Sequence, residues 1–209
     1  MKDEELIDKL DKCVIYIEDK ELYAINKHHT LLMRFSLQYE YPKMCFAKSN
    51  WVNGAKFYRD KEGNLKIRDK SIVLKKEKET ITIPQLDINL KEEYESLLKE
   101  EMKQLFTLDE RFFETIQKYS NTSSFCKIKT EGSKQGISLY DTSKDRTIEY
   151  STRFLVTTGK DGTYFLPTTE LGELYNLGFK QSDVWGADDY VHLRTQKDDA
   201  ILSRMDITR

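Results

Sequence analysis

The chain has 209 residues, enough for one large domain or for two of about 100 residues each. Hydrophobic residues make up 38% and charged residues 33%, with 12 Tyr and 10 Phe, which is too aromatic for a disordered chain. The 34 basic and 36 acidic side chains leave a formal charge of −2. That excludes a uniformly basic nucleic-acid binder but allows basic residues gathered on one face. No apolar run is long enough to cross a bilayer, so no membrane association is expected. The opening "MKDEELIDKL" is acidic and amphipathic, unlike a signal or transit peptide, and the expected location is the cytoplasm. Cys13, Cys45 and Cys126 are odd in number, and no two stand at metal spacing; they read as buried, reduced thiols.

In chain order, "DEELIDKLDKC" places Leu6, Ile7, Leu10 and Cys13 at helical spacing, with acids in the first turn where they suit the helix dipole. Short strands "CVIYIED" and "ELYAIN" follow. In "TLLMRFSLQYEY", Leu31, Met33, Phe35, Leu37, Tyr39 and Tyr41 alternate with Leu32, Arg34, Ser36, Gln38 and Glu40. This is the pattern of a strand with one solvated face. "KMCFA" reads as a further short strand. "SNWVNGAKFYRD" begins with capping residues and reads as a second helix, with Trp51, Val52, Ala55 and Tyr58 at helical spacing. The strand "NLKIRD" and the hairpin "SIVLKKEKETITI" close the first half at Pro84.

A stripe of Tyr94, Leu97, Leu98, Met102 and Leu105 predicts a connector helix across 89–105, packed against a domain. The second half opens with "TLDERFFETIQKY", where Thr107 and Glu110 stand at capping-box spacing and Leu108, Phe112, Phe113, Ile116 and Tyr119 form one face. The strands "FCKIKT", "GISLYD", "TIEYSTRFLVTT" and the short "TYFL" follow. The helix "TTELGELYNLGF" is closed by Gly178. "SDVWG" and the hairpin "YVHLRTQKDDAILSRM" end the series. Both halves therefore run helix, three strands, short strand, helix, three strands. The predicted fold class is α+β: two similar domains, 1–88 and 106–209, each built of antiparallel sheets with two helices.

Catalytic chemistry has no carrier here. His28 and His29 adjoin in a turn, and His192 lies in the last hairpin. No phosphate loop, nucleophile elbow or zinc-binding His–Glu helix is present. "GADDY", with Asp188 and Asp189, reads as a polar turn and "KTEGSKQG" as a hairpin turn. No enzyme activity, metal or cofactor is expected.

The four helices "DEELIDKLDKC", "SNWVNGAKFYRD", "TLDERFFETIQKY" and "TTELGELYNLGF", with the strands between them, resemble DNA sliding clamps, the PCNA-type and phage-type polymerase processivity factors. The resemblance covers nearly the whole chain outside the connector and rests on topology and length, without a diagnostic motif. It implies a homotrimer closing into a ring on duplex DNA, with sheets outside and helices lining the hole. It implies non-specific contact with the DNA backbone, and DNA polymerase and a clamp loader as partners. The residues that would face DNA are Lys2, Lys9 and Lys12 on the first helix, Lys48, Lys56 and Arg59 on the second, and Arg111 and Lys118 on the third. Ring closure would pair the strand at 79–83 with the strand near 147–156 of a neighbour. A peptide-binding pocket would be bordered by Ile83, Pro84, Leu86 and Ile88. Small size and a Lys-rich, Gly-poor composition fit a viral version.

Two features depart from the family pattern. Glu170 and Glu173 make the fourth helix acidic, with only Lys180 after it, and the first domain begins helical where a clamp domain begins with a strand. An α+β interaction or structural protein of viral type that does not encircle DNA stays open as the alternative.

Overall fold

The helical spacing of Leu6, Ile7 and Leu10 becomes helix α1 (Asp3–Lys9), with all three side chains buried. This opens the first of two compact units in the computed structural model, Met1–Leu97 and Leu98–Arg209. The structure describes residues 1–50, 64–76, 79–131, 134–141, 146–152, 161–187 and 189–204.

The four strands expected next are two long ones, β1 (Val14–Ile25) and β2 (Leu31–Ala47), paired antiparallel. Val14–Ile17 faces Met44–Ala47, and Glu21–Ile25 faces Leu32–Ser36. Register shifts between them, on either side of Asp19, explain the split reading. Asp19 has a left-handed backbone (φ 56°). Pro42, which has no N–H to give, falls inside the shifted stretch between Tyr41 and Met44. The predicted alternation holds in part: Leu31, Met33, Phe35, Leu37 and Tyr41 are buried, but so is Leu32, and Tyr39 is 57% exposed. The second predicted helix falls on 49–60, of which only Lys48–Asn50, a single 3-10 turn, is described; Trp51 to Asp60 lie outside the described residues. Strands β3 (Asn64–Arg68), β4 (Ser71–Lys76) and β5 (Glu79–Pro84) form an antiparallel meander.

The connector span divides between the units. Helix α2 (Leu90–Leu97) belongs to the first, where Leu90 and Tyr94 are buried. Tyr94 meets Tyr23 edge-on at 5.6 Å, and Arg34 lies 5.9 Å from its ring centre. Lys91 reaches Glu18 at 3.7 Å and Glu21 at 3.6 Å, so α2 is fastened to β1 by charge as well as by burial. The helix stops where β6 (Lys103–Leu108) begins. Residues 103–108 pair with β11 (Ser182–Gly186), and that tertiary pairing overrides the helical period of Met102 and Leu105.

The second unit follows the predicted order. After β6 come α3 (Glu110–Tyr119), β7 (Ser123–Glu131), β8 (Lys134–Asp141), β9 (Arg146–Thr152), β10 (Gly162–Pro167), α4 (Thr168–Asn176), β11, β12 (Tyr190–Arg194) and β13 (Asp199–Ser203). Residues 153–160, into which the β9 reading extended, lie outside the described set. One sheet has the order β10-β7-β8-β9; the other strands pair β13-β12-β11-β6. The N-cap of α3 is Asp109, accepting the Phe112 N–H at 2.9 Å, and not Thr107. Thr107 is in β6, and its hydroxyl donates to Asp183 at 2.8 Å.

Helices α3 and α4 pack on each other through Phe113 and Tyr175, stacked at 6.4 Å. Gly172 permits the approach: a Cβ there would lie 3.1 Å from the Ser120 Cβ and 3.2 Å from the Gln117 Oε1. The Thr168 hydroxyl donates to the Ser123 carbonyl, fixing the start of α4 on β7. Gly178 ends the helix at φ +103°, with the Phe179 N–H returning to the Leu174 carbonyl at 3.0 Å. Phe113 is fully buried between Phe112 and Tyr175, so Phe113→Ala is expected to cost about 3–5 kcal/mol, read as a lowered midpoint in chemical denaturation.

Candidate nucleic-acid and partner interface

The outward side of α1 carries the expected stripe: Lys2, Glu5, Lys9 and Lys12 are all exposed. Lys12 lies past the helix end with a left-handed backbone (φ 58°). Two acids that count against a basic α1 in sequence are turned to other work. Asp3 is 3% exposed and accepts N–H groups from β2. Asp8 pairs with Lys48 at 3.6 Å, and the Lys48 side chain is only 15% exposed. Lys48, expected to face DNA, is thus half-buried and holds the 3-10 turn to α1. Lys56 and Arg59 lie outside the described residues.

On α3, burial of Phe112, Phe113 and Ile116 leaves Arg111 and Lys118 exposed, two turns apart. Lys118 lies 5.5 Å from the Tyr119 ring centre. Glu110 and Glu114 share the exposed side. The Glu110 carboxylate accepts from Lys180 at 2.7 Å and raises the Lys180 pKa, so the first cation after α4 is held in an ion pair with α3. On α4, Glu173 is exposed and Glu170 half-buried. Among the described helices, exposed cations therefore lie on or beside α1 and on α3.

The four residues expected to border a peptide pocket divide. Ile83 is 1% exposed, in β5 opposite Ile72. Pro84 is exposed, Leu86 half-buried, and Ile88 is 43% exposed, a rare exposed large apolar side chain among the described residues. The Leu86 N–H donates to the Cys45 carbonyl at 2.9 Å, holding this segment along β2.

Sequence reasoning missed a cavity in the second unit, of about 610 Å³. Leu105, Tyr164, Gly186 and Arg204 line it together with Glu100 and Lys103. The Arg204 guanidinium sits 5.4 Å from the Tyr164 ring centre and donates to the Ala187 carbonyl at 3.2 Å. Burial raises the Tyr164 pKa, with Arg204 pulling the other way, and burial with help from Glu100 pushes Tyr190 up to about 12. Gly186 was the legible trace: a Cβ there would fall 2.4 Å from Leu105 Cδ1.

No protein-family model matches the chain, and no curated protein matches it. Solved structures do. The chain is similar to a DNA polymerase sliding clamp from Pseudomonas aeruginosa, with a TM-score of 0.71, 12% identity, and coverage of 95% of this chain and 59% of that one. It is similar to the Helicobacter pylori beta clamp in complex with 5-chloroisatin, at TM-score 0.73 and 15% identity, covering 99% of this chain and 64% of that one. This is the sliding-clamp fold. A Helicobacter pylori beta clamp bound to a DNA ligase peptide matches as well, at TM-score 0.68 and 15% identity, over 95% of this chain and 58% of that one. The chain spans about three fifths of the length of these clamps.

Among the described residues no group of His, Cys, Asp and Glu stands in metal-binding arrangement, and no helix is long and apolar enough to cross a membrane. The thiols are poor nucleophiles: burial pushes Cys45 up to about 11 and Cys126 up to about 12. An unfolded thiol ionises near its ordinary value of 9.0, while these two resist until about 11 and 12. The unfolded chain then binds fewer protons, so stability falls as pH rises through that window. Denaturation midpoints should hold below pH 9 and decline from 9 towards 12, and Cys45→Ser with Cys126→Ser should remove part of the decline.

Proposed function

We propose that this chain is a sliding clamp, a non-enzymatic processivity factor that holds a DNA polymerase on duplex DNA. The observation that carries the reading is the clamp fold joined to exposed cations on α1 and α3, the helices that this fold would turn to the DNA. A closed ring holds DNA topologically, so a small number of lysines and arginines contacting phosphates is enough, and sequence readout is not needed.

Three copies of the two-unit chain close the ring in this proposal. Each copy would pair β5 with β9 of its neighbour; within the described residues β5 pairs only with β4 and β9 only with β8. DNA-facing residues are Lys2, Lys9, Lys12, Arg111 and Lys118, with Lys56 and Arg59 completing the set, while Lys48 supports α1 through Asp8. Peptides of the polymerase and of a clamp loader meet Pro84, Leu86 and Ile88 over the buried Ile83, or enter the Tyr164–Arg204 cavity. The place of action is the cytoplasm, for a viral clamp that of the host cell. The acidic Glu170 and Glu173 on α4 favour the second reading, an interaction protein that does not encircle DNA.

Light scattering across a dilution series decides the assembly. A trimer would give about 74 kDa, three times the 24.7 kDa chain, and a strict monomer at high concentration would favour the second reading. Replacing Lys9, Lys56 and Arg111 together by Glu should abolish polymerase stimulation while leaving the circular dichroism spectrum intact. Undiminished stimulation by that variant would overturn the assignment of the lining.

A further inference from the structure

The register shift after Asp19 leaves part of β2 without a partner on β1. Ser36 faces Glu21 and Tyr41 faces Asp19, so the four residues Leu37–Glu40 have only Lys20 opposite them. Their backbone N–H groups need acceptors from elsewhere. For two of them, Gln38 and Tyr39, the Asp3 carboxylate supplies one. Its two oxygens accept the Gln38 N–H at 2.9 and 3.1 Å, and Oδ2 also accepts the Tyr39 N–H at 3.0 Å and the Tyr41 hydroxyl at 3.3 Å. Asp3 is 3% exposed, and in each of these contacts the partner is the donor. Only an acceptor-only side chain of this length satisfies that set; an Asn amide would turn an NH₂ towards N–H groups. At the other end of the helix Asp8 holds Lys48. Between these two fastenings Leu6 and Ile7 are buried, which sets the rotation of α1 and directs Lys2, Lys9 and Lys12 outward.

We propose that Asp3 is a positioning residue for DNA binding: it substitutes for the partner that β1 fails to give this part of β2 and thereby fixes the direction in which α1 and the turn after it present Lys9 and Lys12 to the phosphate backbone. The proposal rests on the clamp reading. A carboxylate in the first turn of a helix usually serves the helix dipole; here it serves the sheet, and through the sheet the lysines.

The test is a double-mutant cycle read on the salt dependence of binding to a linear duplex, whose free ends a closed ring can thread. The wild-type slope of log affinity against log salt counts phosphate contacts, at about one per cation. Lys9→Gln with Lys12→Gln should reduce the slope by about two. Asp3→Asn should reduce it by a similar amount, and the combined variant should lose no more than either. Arg111→Gln should lose its own increment of about one equally in wild type and in Asp3→Asn, which a general loss of structure would not allow. Tyr41→Phe, which removes one donor only, gives a milder variant and should produce a partial loss. A wild-type slope for Asp3→Asn and Tyr41→Phe, or a loss that adds to that of the lysines, overturns the role of Asp3 and leaves the clamp reading standing. Unchanged slopes for both the α1 lysines and Arg111 overturn the clamp reading and this inference together.

Discussion

Each unit is organised by one long-range antiparallel pairing that involves the strand leaving its first helix. In the first unit Val14 pairs with Ala47, and in the second Phe125 pairs with Pro167. Everything inserted between those strands must leave and return within one sheet. The first unit does so with a single bent hairpin, while the second adds β8 and β9 along the free side of β7. The segment that follows each pairing is held to the strand that opens it. The Lys48 N–H donates to the Cys13 carbonyl at 2.9 Å, and the Thr168 hydroxyl donates to the Ser123 carbonyl. The duplication is thus one of pairing and tethering, carried out by unrelated residues.

This explains which parts of the fold were legible in sequence. Pairings that run unbroken leave a period-two pattern, and β7, β10, β11 and the β12–β13 hairpin were readable from it. The helices α1, α3 and α4 were readable from their buried faces, and Gly178 from the left-handed turn it allows. The reading failed where tertiary structure changed the rule. The bulges at Asp19 cut β1 and β2 into apparent fragments. Pairing of Lys103–Gly186 and Phe106–Val184 turned the end of an apparent helix into β6. Thr107 and Asp109 are both capping residues by type, and only the position of Asp183 opposite Thr107 decides between them.

The same distinction governs the candidate interface. Exposure of Lys2, Lys9, Lys12, Arg111 and Lys118 follows from the apolar faces of their helices and could be read directly. The partners of the acids could not. Asp3, Asp8 and Glu110 are ordinary helix acids in sequence, yet they bind the β2 backbone, Lys48 and Lys180 respectively. The net charge of −2 accordingly says little about the field over any one face, because it does not show which charges offset each other in local pairs. Lys48 and Lys180 are held in ion pairs in the same way, with Asp8 and Glu110.

The fold match at 12–15% identity comes with no family model to accompany it. Catalysis requires particular atoms at particular distances, and such constraints leave motifs. A proposed ring that holds DNA by enclosure requires only a buried core, paired strands and some outward cations, each of which many sequences satisfy. What has to persist is the pattern of burial and pairing, while the identity of the residue at each position can drift. Residues such as Asp3 are the exception within that freedom. Where a bulge removes a strand partner, the exposed backbone donors demand one specific kind of side chain, and identity rather than hydrophobicity again becomes the constraint.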